Sequence, residues 1–157
     1  MTSFGASPRI DSVRAEITAG IMADTGLNEA MLRALVEHFY DAARRDPVLG
    51  PIFDAHITDW PAHIERMIDF WSSIALMTGR YHGRAMAAHT PLALGQAHFD
   101  RWLDLFRTSA RETCTPAGAV HLVMRAERVA RSLQLAVVRA RTARDGAPFT
   151  RLERMSK

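Results

Sequence analysis

The stretch TDWPAHIERMIDFWSSIALM, residues 58–77, decides the fold. Thr58 and Asp59 carry short side-chain oxygens that can accept from the free N–H groups of a helix start, and Pro61 falls in the first turn, where its missing N–H costs nothing. Ile64, Met67, Ile68, Trp71, Ile74 and Ala75 then recur at spacings of three and four, which puts them on one face of a helix running to about Met77.

The same period governs the flanks. Upstream, a weakly amphipathic segment over about 10–23 closes at Asp24-Thr25-Gly26. Asn28 then offers an N-cap to a helix that carries Met31, Leu32, Leu35, Val36, Phe39 and Tyr40 and reaches about Arg45. Asp46-Pro47 stops it, and Gly50-Pro51 predicts a second turn before Ile52-Phe53. Downstream, Gly79 and Gly83 bracket a loop around Tyr81-His82, and a short helix at about 84–89 ends at Thr90-Pro91. Two longer helices follow. One, at about 96–113, carries Phe99, Trp102, Leu103 and Phe106; the other, at about 116–142, carries Leu122, Val123, Ala126, Val129, Ala130, Leu133 and Val137. No stretch alternates apolar and polar residues in the manner of a strand, so the expected class is all-α with about five substantial helices. The expected organisation is a tail at 1–9, one domain at 10–142 and a basic tail at 143–157.

Composition narrows the function. The chain has 157 residues and 17.5 kDa, enough for one core or one enclosed pocket and too few for two lobes with a cleft between them. Its net charge of +3 is unevenly spread. Residues 139–157 hold six basic side chains against Asp145 and Glu153, which leaves 14 basic and 15 acidic side chains, a sum of −1, in residues 1–138. A basic tail on a balanced body argues against a nucleic-acid surface. A single cysteine, Cys114, excludes an internal disulfide and multi-cysteine metal sites, reads as a small half-buried side chain, and fits a reducing compartment. The N-terminal residues lack the apolar core of a signal peptide, and no apolar run is long enough to span a bilayer, so the expected location is the cytoplasm, with no membrane partner.

Phosphate-cradling loops, Gly-x-Ser-x-Gly elbows and Cys–His nucleophile pairs are all missing. The seven histidines form neither an i, i+4 helical zinc pair nor the repeated Glu-x-x-His of di-iron bundles. Two of them have informative neighbours. His63, Met67 and Trp71 follow at i, i+4 and i+8, putting one imidazole at the edge of an apolar stripe, and His89 ends a short helix. With the stripes of Tyr40 and Trp102, these helices could enclose a flat apolar pocket with one axial imidazole and several hydrogen-bond donors, the environment a haem iron asks for. Taken singly, each of the two reads first as an ordinary surface histidine.

Several stretches, in order and spacing, carry a resemblance: His38-Phe39-Tyr40; Asp46-Pro47-Val48-Leu49-Gly50-Pro51-Ile52-Phe53; Trp60-Pro61-Ala62-His63 with Asp69-Phe70-Trp71; Gly79-Arg80-Tyr81-His82-Gly83 followed by His89; and His98-Phe99-Asp100-Arg101-Trp102-Leu103-Asp104-Leu105-Phe106. Over about residues 10–138 the sequence resembles the group III truncated haemoglobins. The resemblance implies a truncated globin, a two-over-two helical sandwich around haem b (iron protoporphyrin IX). It implies His89 as the proximal metal ligand, Tyr40, His63 and Trp102 as distal donors with Met67 packed beside the ligand, and Phe39, Phe53 and Trp71 as pocket wall. Arg66 would reach a propionate, though it reads equally as a solvated helix arginine; Ala88 precedes the proximal histidine where a basic side chain would have suggested a propionate contact, which leaves Arg66, Arg84 or Tyr81 as alternative anchors. His38, His56, His82, His98 and His121 receive no role.

The function this implies is binding of O2 and other small diatomics, NO or CO, with nitric-oxide dioxygenase or peroxidase-like turnover of peroxide supported by an unidentified electron donor. Two other readings stand beside it: a haem-based gas or redox sensor or scavenger without turnover, and a haem-free helical module whose basic tail meets an acidic partner.

Overall fold

A computed structural model describes residues 8–89 and 92–153. The described residues form seven helices and no strand. They are α1 (Pro8–Thr25), α2 (Glu29–Arg45), α3 (Gly50–His56), α4 (Trp60–Leu76), α5 (Ala85–His89), α6 (Gln96–Thr113) and α7 (Pro116–Glu153). Parts of the expected tails, at 1–7 and 154–157, and the Thr90-Pro91 stop lie outside the described residues.

The helix starts follow from local chemistry. Asn28 Oδ1 accepts the Met31 N–H at 2.8 Å, and Asp59 Oδ1 accepts the Ala62 N–H at 3.2 Å, so Asp59 rather than Thr58 caps α4. His98, three residues into its helix, reaches back so that its Nδ1 accepts the Gly95 N–H at 2.9 Å. The Thr115 hydroxyl accepts the Gly118 N–H at the head of α7 and donates to the Thr25 carbonyl across the molecule. α4 ends at Met77, whose φ of 58° is the left-handed turn that closes a helix. Its last carbonyls are taken up by other elements: Thr18 donates to Leu76 O at 2.6 Å, His121 Nε2–H to Ala75 O at 2.8 Å, and Arg125 Nε–H to Ile74 O at 3.2 Å.

Two features differ from the sequence expectation. Gly50-Pro51 opens a two-turn helix instead of a simple turn, because proline at the first turn suits a helix start as well as a bend, and the side chain of Asp46 supplies the acceptor for the preceding Val48 and Leu49 N–H groups. The last helix passes 142 and reaches Glu153: Arg139-Ala140-Arg141-Thr142-Ala143-Arg144 is rich in good helix formers and carries it past the expected end, and nothing in the sequence explains its continuation through Gly146 and Pro148.

Packing is a two-over-two sandwich. α2 lies against α4 and α6, α6 against α7, and α7 also meets α1, α4 and α5. The core between the pairs contains Leu32, Leu35, Val36, Phe106, Ala110 and Leu122, all essentially without solvent exposure. A second apolar cluster, Phe99, Ala130, Leu133 and Val137, joins α6 to α7. Their burial supplies the main driving force for the fold.

One ion pair is sunk into this frame. Asp46, with a side chain 1% exposed, accepts from Arg101 Nε at 2.7 Å and Nη2 at 2.6 Å, and from the Val48 and Leu49 N–H groups at 3.0 Å each. It ties the end of α2 and the start of α3 to α6 beside Trp102.

Candidate haem site

α2 and α4 bring the distal candidates together. Tyr40 is buried on α2, and its hydroxyl stands 2.9 Å from Nε2 of His63, near the start of α4, with the rings edge to face at 5.1 Å. Phe53 of α3 meets the Tyr40 ring edge at 5.5 Å, and Phe39 meets it at 5.0 Å. Burial drives the Tyr40 phenol well above its ordinary range, so it stays protonated as a donor. Burial first, then the charges of Arg66 and His89, lowers His63 to a pKa of about 4, so the imidazole is neutral near pH 7.

Trp102 projects from α6 into an aromatic stack. It lies nearly parallel to Phe106 at 5.3 Å and to Trp71 at 6.3 Å, while Phe39 approaches its edge at 5.7 Å. Trp71 is buried and Met67, one turn before it, is half-buried against the same core. Arg66 is exposed on α4. Tyr81 lies on the loop after α4: its N–H donates to Ser73 Oγ at 2.8 Å, and its ring meets Phe70 edge to face at 5.1 Å. A Cβ on Gly83 would come within 2.3 Å of the Tyr81 hydroxyl oxygen, so only glycine lets this ring fold back on the loop.

His89 closes α5, half-buried, with Nδ1 2.7 Å from the Ala85 carbonyl oxygen. A carbonyl can only accept, so Nδ1 is the donor, and in the neutral ring Nε2 then keeps its lone pair. That is the state in which an imidazole ligates a metal, with its other nitrogen oriented by a backbone acceptor. The donor set therefore fits a haem: one imidazole oriented through Nδ1, an aromatic wall, and phenol O–H and indole N–H donors.

Sequence reasoning passed over Trp60. Its ring lies 5.7 Å from Tyr40, 5.9 Å from His63 and 6.4 Å from Phe53, with the Arg44 guanidinium 4.2 Å above it. The spacing of Trp60 and His63, i and i+3 on one helix, could have flagged it. Phe106 fills the gap between Trp71, at 4.7 Å, and Trp102. Three of the five histidines left without a role hold the frame: besides His98 and His121, His38 bridges Ser109 Oγ at 2.8 Å and Glu112 at 2.6 Å.

An all-helical sandwich that carries an imidazole oriented through one ring nitrogen, together with a buried phenol bonded to a half-buried imidazole, fits the class of haem-binding globins. No family model matches the chain. A curated relative, the group 3 truncated haemoglobin Ctb of Campylobacter jejuni, is 34% identical over 88 residues, which are 53% of this chain and 69% of the relative. The crystal structure of the group III truncated haemoglobin from Campylobacter jejuni superposes with a TM-score of 0.67 at 30% identity, covering 71% of this chain and 91% of the other. The chain belongs to the group 3 truncated haemoglobins, a family that implies a haem cofactor. Among the described residues no helix is long and apolar enough to cross a membrane.

Proposed function

We propose that the chain binds O2 and other small diatomic ligands at a single haem b held through His89, in the cytoplasm, with nitric-oxide dioxygenase or peroxidase-like turnover sustained by an outside electron donor. The observation that carries this reading is the His89 Nδ1–H to Ala85 carbonyl bond, which fixes both the tautomer and the direction of the ring. Haem iron supplies reversible coordination of a diatomic ligand. The chain supplies the rest.

Tyr40 and His63 share one hydrogen bond, and its direction decides what each can offer. When His63 carries its proton on Nε2, it donates to the Tyr40 oxygen and frees the phenol hydrogen for a ligand. When the proton sits on Nδ1, Tyr40 donates to His63 and is occupied. Trp102 adds an indole N–H from α6, held by its stack on Phe106 and Trp71. In a site that excludes water such donors stabilise partial negative charge on a ligand, each bond contributing about 1.5–3 kcal/mol, which slows release; the same donors would polarise an O–O bond. Phe39, Phe53, Met67 and Trp71 keep the surroundings apolar. Arg66, and Tyr81 on its pinned loop, are the side chains proposed to meet the propionates.

Visible spectra of the purified protein, oxidised, reduced and with carbon monoxide, test the reading. The expected result is a Soret band that responds to reduction and to CO, and loss of stable haem uptake in His89→Ala. A wild-type Soret spectrum in that variant would overturn the proximal assignment, and colourless wild-type protein that takes up no added haem would overturn the function.

A further inference from the structure

An open groove of about 580 Å³ lies where α1 crosses the end of α4. Its floor is apolar: Ile10, Val13 and Ile17 recur at helical spacing on α1 and face Met77, which the left-handed turn at the end of α4 directs outward. All four are unusually open for their type, at 55, 50, 43 and 52% exposure. Two guanidiniums, Arg9 and Arg14, line the same groove with no carboxylate among its lining residues and no ion pair to either one among the described residues. Arg14 is seated: its Nη1 lies 2.3 Å from where a Cβ on Gly79 would stand, so it rests on the backbone of a residue whose φ of 73° already favours glycine.

The chemistry selects among occupants. A second copy packed symmetrically would set Arg9 and Arg14 against their own counterparts, since a two-fold contact uses the same patch on both partners. A stable protein interface also needs on the order of 1,000 Å² of buried surface, more than eight lining residues supply. The volume falls within the range of small-molecule sites, about 300–1,000 Å³, which are mostly apolar with a few placed polar groups. Planar guanidiniums at the rim of an apolar floor pair with carboxylates in two-point fashion.

We infer that the groove between α1 and the end of α4 binds a single-chain amphiphilic carboxylate, a free fatty acid, with its chain along Ile10, Val13, Ile17 and Met77 and its head group on Arg14 and Arg9. None of the groove's lining residues is among the haem-site residues named above; Ser73, which lines it, also accepts the Tyr81 N–H.

Calorimetric titration of laurate into the full-length protein, as purified and with haem added, tests the inference. One equivalent should bind in both, and dodecyltrimethylammonium, with the same chain and the opposite charge, should bind at least about tenfold more weakly. Arg14→Gln should weaken laurate about tenfold, and Ile17→Asp, at an exposed position that leaves helicity and melting unchanged, should abolish binding. Equal affinity for the two amphiphiles, full laurate binding in Ile17→Asp, displacement of laurate by haem, or a wild-type dimer in sedimentation that Ile17→Asp dissociates would each overturn it.

Discussion

The Tyr40 hydroxyl and His63 Nε2, on different helices and 23 residues apart, stand 2.9 Å from each other. Neither group carries charge near neutral pH, because burial holds the phenol protonated and the imidazole deprotonated. The pair therefore shares one bond whose donor can be either partner, and the choice sets whether the phenol hydrogen is taken by its neighbour or left free for another acceptor. A ring wall of Phe39, Phe53 and Trp60 around Tyr40 keeps water from competing for that choice.

Tyr40→Phe keeps the ring and deletes the donor. With haem bound, oxygen dissociation should accelerate about 10- to 100-fold, the equivalent of one charge-assisted hydrogen bond. His63→Leu removes the partner that can donate to the phenol oxygen and leaves Tyr40 free to turn its own hydrogen to the ligand, so its off-rate should change less than that of Tyr40→Phe, or slow. Stopped-flow displacement of O2 by CO measures both, alongside Trp102→Phe. Unchanged rates in Tyr40→Phe and Trp102→Phe would remove both donors from the ligand site.

The depressed pKa of His63 makes stability depend on pH. Between its ordinary value of 6.5 and its folded value of about 4, the unfolded chain binds a proton at this position that the folded chain does not. Acidification through that window therefore favours unfolding, and the contribution is fully present only above about pH 6.5. Urea midpoints compared between wild type and His63→Gln should show a difference that shrinks as the pH drops toward 4.5, roughly, with the variant the less acid-sensitive. Parallel midpoint curves for the two proteins would mean that His63 titrates normally.

Most helix boundaries could be read from sequence because their causes are local. Asn28 and Asp59 cap with their own side chains, and the apolar faces of α2, α4 and α6 repeat within a few residues. The same locality explains the misses. Gly50-Pro51 is compatible with a turn or a helix start, and the tie that settles it, Asp46 held by Arg101, spans 55 residues. The bonds of His38 to Ser109 and of His121 to Ala75 span 71 and 46 residues, so sequence spacing carries no trace of them. For the site, order and spacing of motifs pointed to the family, whereas the Ala85 contact that orients His89, the pairing of Tyr40 with His63 and the place of Trp60 needed coordinates.

Asp46→Ala should cost about 1–3 kcal/mol, because it strips acceptors from the Val48 and Leu49 N–H groups and from Arg101 at once. Arg101→Met should cost less, since Arg101 is nearly half exposed and Asp46 keeps its two backbone donors. Burial alone would raise the Asp46 carboxyl, but the Arg101 hydrogen bond and the two N–H groups together hold it below the usual carboxylate range. Its stabilising effect is thus complete above the ordinary carboxylate value of 3.8 and is lost as pH falls through the lowered one. Denaturation of the Arg101→Met protein should converge on wild type only at that acid end; a constant gap down to the lowest pH would mean that the pair contributes through packing and not through charge.

Two glycines make a paired test of how far backbone geometry, as opposed to residue type, controls stability. Gly20 is inside α1, in helical conformation, and a Cβ there would meet nothing within 4 Å. Alanine at this position narrows the unfolded ensemble and adds helix propensity, so Gly20→Ala should stabilise the protein by about 0.5–1 kcal/mol. Gly50 opens α3, and a Cβ there would lie 2.6 Å from the Arg44 carbonyl oxygen, a backbone atom that cannot swing aside. Gly50→Ala should therefore destabilise by about 1–3 kcal/mol, through a shift of α3 that carries Phe53 with it. Chemical denaturation gives the two signs, and a change in Trp60 fluorescence in Gly50→Ala alone would show that the strain reaches the aromatic ring around Tyr40. If both variants moved stability the same way, the close approach of α3 to the end of α2 would not be a feature of the folded protein.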